Sequence, residues 1–194
     1  MQITRLNRFI GLGVAGNFAG HLEQAGEAAD FVAVKVADKV APKALFPFYV
    51  PSHPGQLGVF PLSGEAIFLP EAAVSGDEKV QIEPEVALWC ELEYAGEQVV
   101  AIHPKAFGAY NDCSIRRPNA KKISEKKNWG EESKGLATTL LPLGHFAPGC
   151  ELDDYRIACY LERDGELHPY GVDSAAVDYS YFHRQLLDWA IDKF

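Results

Sequence analysis

The sequence is short of positive charge. Its 194 residues hold 18 lysines and arginines against 27 aspartates and glutamates, a net charge of −9 with histidine neutral. An acidic surface repels nucleic acid and anionic membrane, so general binding to either is excluded as an expectation. Long apolar runs are also missing. None approaches the ~20 residues of a membrane-spanning helix, and the opening MQITRLNRFIGLG lacks the apolar core of a signal peptide. The cysteines Cys90, Cys113, Cys150 and Cys159 form no C-x-x-C pair and are too few for a disulfide scaffold. A reduced, cytoplasmic chain with neither nucleic-acid nor membrane partners is the simplest reading. Internal repeats and low-complexity tracts are absent.

What is present is an ordinary globular composition, 47% hydrophobic and 23% charged. The length suits one domain with a sizeable core. Residues 8–14 read as a short strand, Asn17 to Gly26 as a short helix capped by Asn17, and FVAVKV as a second strand. Residues 38–66 are rich in proline and glycine and read as loop with local structure. KVQIEPEVALWCELEY alternates with period two. Ile82, Pro84, Val86, Leu88, Cys90 and Leu92 share one face, and Gln81, Glu83, Glu85, Ala87, Trp89 and Glu91 the other. EQVVAIHPKAFGAYND continues as strand and ends in a turn. The lysine-rich RRPNAKKISEKKNWGEESKG reads as a solvated loop. YRIACYLERDGELHPYGV reads as a hairpin turning at Asp164-Gly165. YSYFHRQLLDWAIDKF reads as a helix with Phe182, Leu186, Trp189 and Ala190 on one stripe. The fold class is α+β and strand-rich.

Gly11, Gly13 and Gly16 fall in the spacing G-x-G-x-x-G, after a strand and before a helix. Asp38 lies 22 residues beyond Gly16, where an acidic residue could hold a ribose. A nicotinamide-dependent oxidoreductase is therefore one reading. No further strand–helix units follow, so the plainer reading is that the glycines permit a tight turn.

The carboxylates carry more. Glu83 and Glu85 stand two apart on the alternating strand, so both leave one face. Two adjacent carboxylates need either water or a cation between them, and oxygen ligands suit Mg²⁺, Mn²⁺ or Ca²⁺. Asp112, after a turn, offers a third, with Arg116 four residues on. Each feature also reads as an ordinary wet strand face or turn.

In this order the pieces resemble the fumarylacetoacetate hydrolase superfamily. Asn17, Phe18 and His21 match its Asn-aromatic-x-x-His segment. Glu83, Glu85 and Ala87 match Glu-x-Glu-x-Ala. Asn111, Asp112, Ser114 and Arg116 match Asn-Asp-x-Ser-x-Arg. Lys134, Thr138 and Pro142 match its lysine segment, and ERDGELHPYGV its hairpin. The match is collinear from about residue 8 to the end.

The resemblance implies a mixed β-sheet roll with a few short helices, as one domain. Residues 1–40 would form a strand–helix–strand segment, 41–78 a loop-rich insertion and 79–194 the metal-site core. It implies a divalent cation, Mg²⁺ first, held by Glu83, Glu85 and Asp112. The catalytic residues it implies are His21 as base, Lys134 as a second positive charge and Arg116 as a carboxylate holder. The substrates would be 2-oxo acids or diketo and enol compounds. The reaction would be C–C hydrolysis, decarboxylation or isomerisation through a stabilised enolate. The match departs at Gln24, where an acidic partner of His21 would fall, and at Ala137. It also departs at the C-terminus, where relatives carry a further Gly-Thr-rich turn. A sheet lacking that part would leave an apolar edge, so a homodimer is expected. A relative that binds a small acid or a partner without catalysis is the alternative. Tyr49 and His53, in FPFYVPSHPGQLG, are secondary candidates.

Overall fold

The computed structural model describes residues 3–17, 40–117 and 123–194. FVAVKV, His21, Glu23, Gln24, Asp38 and the helix expected after Asn17 lie outside the described residues. The chain is mixed α+β and rich in strand. It divides into two compact units, each gathered from separate stretches. The first takes residues 1–13, 46–87 and 107–141, the second 14–45, 88–106 and 142–194.

The strands β1 (Gly11–Ala15) and β2 (Ala44–Tyr49), which enter the first unit with residues 11–13 and 46–49, pair with each other, and β2 lies in the stretch expected to be loop. This pairing explains the glycines. A Cβ on Gly11 would stand 2.5 Å from the Phe48 ring, and one on Gly13 would stand 2.4 Å from the Phe46 ring. Bare backbone there lets two phenyl rings lie against β1.

Three short strands follow in this unit, β3 (Leu62–Ser63), β4 (Lys79–Gln81) and the start of β5 (Pro84–Ala95). The single strand expected over 79–94 is thus broken at Ile82 and Glu83. Pro84 lacks the N–H that would continue a ladder, so the break falls before it. Glu83 sits in the break and Glu85 within β5, so the two do not share one uninterrupted strand. Residues 84–90 are all half-buried, so Trp89 does not lie on a wet face.

A two-residue turn, Gly96–Glu97, leads to β6 (Gln98–Asn111), the longest strand. Next come β7 (Ser114–Arg116), β8 (Lys134–Leu136) and β9 (Leu141–Pro142). The main sheet runs β3-β8-β6-β5, with β9 also on β6. Its β3–β8 pair is parallel and its β6–β8 pair antiparallel, Asn111 opposite Gly135. Alongside, β4 and β7 pair antiparallel, Gln81 opposite Ser114. Phe46, Phe48, Phe107, Cys113, Ile115 and Leu136 form the buried core of this unit.

The second unit contains the small pairs β10 (Arg156–Ile157) with β13 (Ser174–Ala175), and β11 (Tyr160–Arg163) with β12 (Glu166–Pro169). The β11–β12 hairpin turns where expected. Asp164 and Gly165 have φ of 54° and 81°, the left-handed pair that matches strand twist. The C-terminal helix spans His183–Ile191. Among the described residues, the Asn17 side chain is tied to the stretch before this helix. Its amide donates to the Tyr181 carbonyl and accepts from the Tyr181 N–H, both at 2.9 Å. Leu143, Phe146, Leu152 and Ala176 are buried in this unit. No helix among the described residues is long and apolar enough to cross a membrane.

Candidate functional site

The β4–β5 and β6–β7 connections break at the same level, and that is what brings Glu83 and Asp112 together. The Asn111 side-chain oxygen accepts the Glu83 N–H at 3.1 Å, and the Glu83 carbonyl accepts the Asp112 N–H at 2.9 Å. Asn-Asp is therefore more than a turn. Asn111 fixes the backbone of one acid, and that backbone fixes the other.

Between the two carboxylates sits an ammonium group. Lys127 Nζ lies 2.5 Å from Glu83 Oε2 and 2.6 Å from Asp112 Oδ2. Lys134, wholly buried, places its Nζ 3.0 Å from Asp112 Oδ1 and also donates to the Cys113 carbonyl. Ser114 Oγ donates to Glu83 Oε1, and an Arg116 terminal nitrogen lies 3.5 Å from that oxygen. Arg116 spends Nε on Gln81 Oε1 at 2.6 Å. Tyr110 donates to Asp112 Oδ1 at 3.3 Å.

Lys127 enters the site because its neighbours are tied down. It ends the one-turn helix Ser124–Lys127. Next to it, the Asn128 amide donates to the carbonyls of Phe48 and Val59 at 2.8 and 3.1 Å. The Trp129 indole donates to the Phe68 carbonyl at 2.8 Å. The lysine-rich stretch expected to be a solvated loop is, at Lys127, a buried wall.

The electrostatics follow from this packing. Burial would raise the Asp112 carboxyl, but Lys127 and Lys134 outweigh it and hold it below the usual aspartate value. Burial would discharge Lys127, yet Asp112 and Glu83 keep its ammonium above the ordinary lysine value. Lys134 goes the other way: burial lowers it, Lys127 adds to the lowering, and Asp112 only partly offsets them. Burial also raises the Tyr110 hydroxyl, and the charges of Asp112 and Glu85 add to it.

Of the expected site residues, then, Glu83, Asp112, Lys134 and Arg116 converge, and Glu85 lies near enough to act on Tyr110. His21 lies outside the described residues. His53 is used locally, its Nδ1 accepting the Gly55 N–H at 3.0 Å, and Tyr49 donates to the Asn7 carbonyl at 2.7 Å. Glu83 and Asp112, two of the three carboxylates expected to hold a divalent ion, do not fit one while Lys127 is in place. All four of their oxygens face protein donors, and Lys127, Lys134 and Arg116 already offset their charge. A dication would add two uncompensated charges to a buried space.

The second unit holds a different cluster that sequence reasoning missed. Cys150 Sγ lies 3.2 Å from Asp153 Oδ1 and 3.8 Å from His183 Nε2, and His183 Nε2 lies 2.7 Å from the same Asp153 oxygen. Cys150-x-x-Asp153 in a turn was the available signal. Its histidine partner lies thirty residues on, at the start of a helix read only for its apolar stripe.

Residues 27–194 match a family described as a family of unknown function, DUF5718. No curated protein matches the chain, and neither does any solved structure.

Proposed function

The chain belongs to the DUF5718 family, and for it we propose an enzyme acting on 2-oxo acids or related diketo and enol compounds. Its active site is the carboxylate–lysine cluster of the first unit. The reading carries with it a sheet roll like that of the fumarylacetoacetate hydrolase superfamily and a small oxo acid as partner. One observation supports it above the others. Glu83, Asp112 and Lys134, named by separate motifs of the resemblance, lie in one ionic cluster with Lys127 at its centre.

The reactions of such substrates share one demand, an enolate or carbanion that must be stabilised. A buried, permanently charged ammonium meets it, because charge–charge attraction is strongest where water is excluded. Lys127 supplies that charge. Glu83 and Asp112 orient Lys127, and Lys134 holds Asp112 from its far side, so all three act as positioning residues. Arg116, at the solvent-facing edge, holds the substrate carboxylate. His21 is the base, drawing a proton from carbon or from water. No step requires a divalent ion.

The complete pairing of the charges favours a second reading, a relative that binds a small acid without turning it over. Assays of the purified chain on oxaloacetate and on an acylpyruvate, with EDTA present, separate the two. The enzymatic reading expects turnover that survives EDTA and falls about 100-fold in Lys127→Met. Turnover only with Mg²⁺ would overturn the role of Lys127. A folded chain that binds oxalate and turns over neither compound, with or without Mg²⁺, would leave the second reading standing.

A further inference from the structure

Cys150, Asp153 and His183 form the one group among the described residues whose thiol, carboxylate and imidazole ligand atoms all lie within 4.8 Å of one another. All three belong to the second unit. Cys150 precedes the short 3-10 turn Glu151–Asp154, which carries Asp153. His183 is the first residue of the C-terminal helix.

A catalytic thiol relay does not explain the arrangement. In a relay the acid holds one ring nitrogen and the thiol faces the other. Here Cys150 and Asp153 approach the same nitrogen, Nε2. As hydrogen bonds, the Cys150 thiol and the Nε2–H both donate to Asp153 Oδ1, and the approach of sulfur to Nε2 at 3.8 Å then has no proton between the two. A metal ion at the shared point would serve all three. The donors stand near the spacing of one, with the His183–Asp153 pair drawn in to hydrogen-bond distance. Tetrahedral zinc, at ordinary Zn–S and Zn–N/O bond lengths, sets sulfur about 3.6 Å from each neighbouring donor and N from O about 3.3 Å. The observed separations are 3.8, 3.2 and 2.7 Å.

The surroundings orient each donor. The Gly149 N–H binds Asp153 Oδ2 at 2.8 Å, which leaves Oδ1 turned to the cluster. The His183 ring is flanked by Phe146, centroids 5.3 Å apart, and by Phe182 at 4.5 Å. His183 has a φ of 48°, unfavourable for a residue with a side chain. The packing nonetheless holds its ring on Cys150 and Asp153. Cys150 is buried, while Asp153 and His183 keep side-chain exposures of 21% and 16%. Solvent thus reaches part of Asp153 and His183, and a fourth ligand would come from it.

We propose that Cys150, Asp153 and His183 are a zinc site, with water or a substrate oxygen as the fourth ligand. Sulfur, imidazole and one carboxylate oxygen select zinc over the oxygen-seeking Mg²⁺ and Ca²⁺. The ion ties the 150–154 turn to the start of the C-terminal helix. The site is independent of the cluster in the first unit.

Cobalt tests it in the full-length reduced chain. One Co²⁺ per chain should bind and show a thiolate-to-cobalt charge-transfer band that Zn²⁺ abolishes. Cys150→Ser should lose the band and Cys159→Ser should keep it. Asp153→Asn should weaken Co²⁺ binding at least about tenfold. Zn²⁺ should also raise the melting temperature of the wild-type chain, a readout that needs no variant to fold. A folded, reduced wild-type chain that shows no thiolate band with Co²⁺ would overturn the proposal. So would a band that persists in Cys150→Ser.

Discussion

In the first unit two carboxylates meet two ammonium groups, whereas in the second a carboxylate meets a thiol and an imidazole. Both sets contain a part-buried carboxylate, and both sit where chain segments break or turn. They differ in whether a cation is already built in. Lys127 and Lys134 neutralise Glu83 and Asp112 within 3.0 Å. No such lysine or arginine contact to Asp153 appears among the described residues, and its partners are Gly149, Cys150 and His183. On the two proposals made above, what separates the clusters is the charge of the groups packed around their acids.

The largest effect should come from removing the built-in cation. Lys127→Met removes the ammonium between Glu83 Oε2 and Asp112 Oδ2 and leaves those two buried oxygens without their partner, and urea denaturation should show a loss of about 3–5 kcal/mol. Mn²⁺ should restore part of that stability in the variant and none in the wild type. A loss below about 1 kcal/mol would erase the contrast between the two clusters.

Asp112→Asn comes next, at about 3 kcal/mol, because Lys134 is wholly buried beside it. Its pH signature has a definite sign. The Asp112 carboxyl is held below its ordinary value, so its contribution is complete above about pH 4 and disappears as pH falls through the lower folded value. The variant should lose that part of the acid slope, measured by denaturation at a series of pH values.

A change without charge gives the scale for packing alone. Gly13→Ala pushes a methyl group into the Phe46 ring and should cost about 1–3 kcal/mol by thermal or urea unfolding. The smallest effect belongs to the exposed pair Lys105–Glu91, at 3.3 Å with both side chains about half in water. Glu91→Gln should change stability by less than about 0.5 kcal/mol, since water and salt screen such pairs. If that loss matched Lys127→Met, burial would not be what separates the first cluster from an ordinary surface pair.

The sequence made local features legible and left the tertiary ones hidden. Asp164-Gly165 reads as a tight hairpin because those residue types tolerate positive φ, and the turn is there. The C-terminal helix and the long strands of the β5–β6 hairpin follow from periodicity. Pro84 marks where the expected strand breaks. Glu83, Asp112 and Lys134 were visible as candidates because their spacing matches known patterns. Lys127 was not, since KKISEKKNW looks solvated until Asn128 and Trp129 are seen anchored to loops more than sixty residues away. The strand β2 was obscured by Pro47 within it and by Pro42, Pro51, Pro54 and Gly55 around it. The Cys150 cluster depends on a contact across 33 residues, which no local pattern encodes.

The tether on Lys127 has a bearing on supply. An ion held by side chains comes and goes with its concentration in the surroundings, and a competitor or scavenger can empty its seat. A positive charge carried on the polypeptide arrives with translation, one per chain, and stays through shortage or excess of every metal. If the first cluster works as proposed, its output is set by how much protein is made and is indifferent to the ionic composition around it.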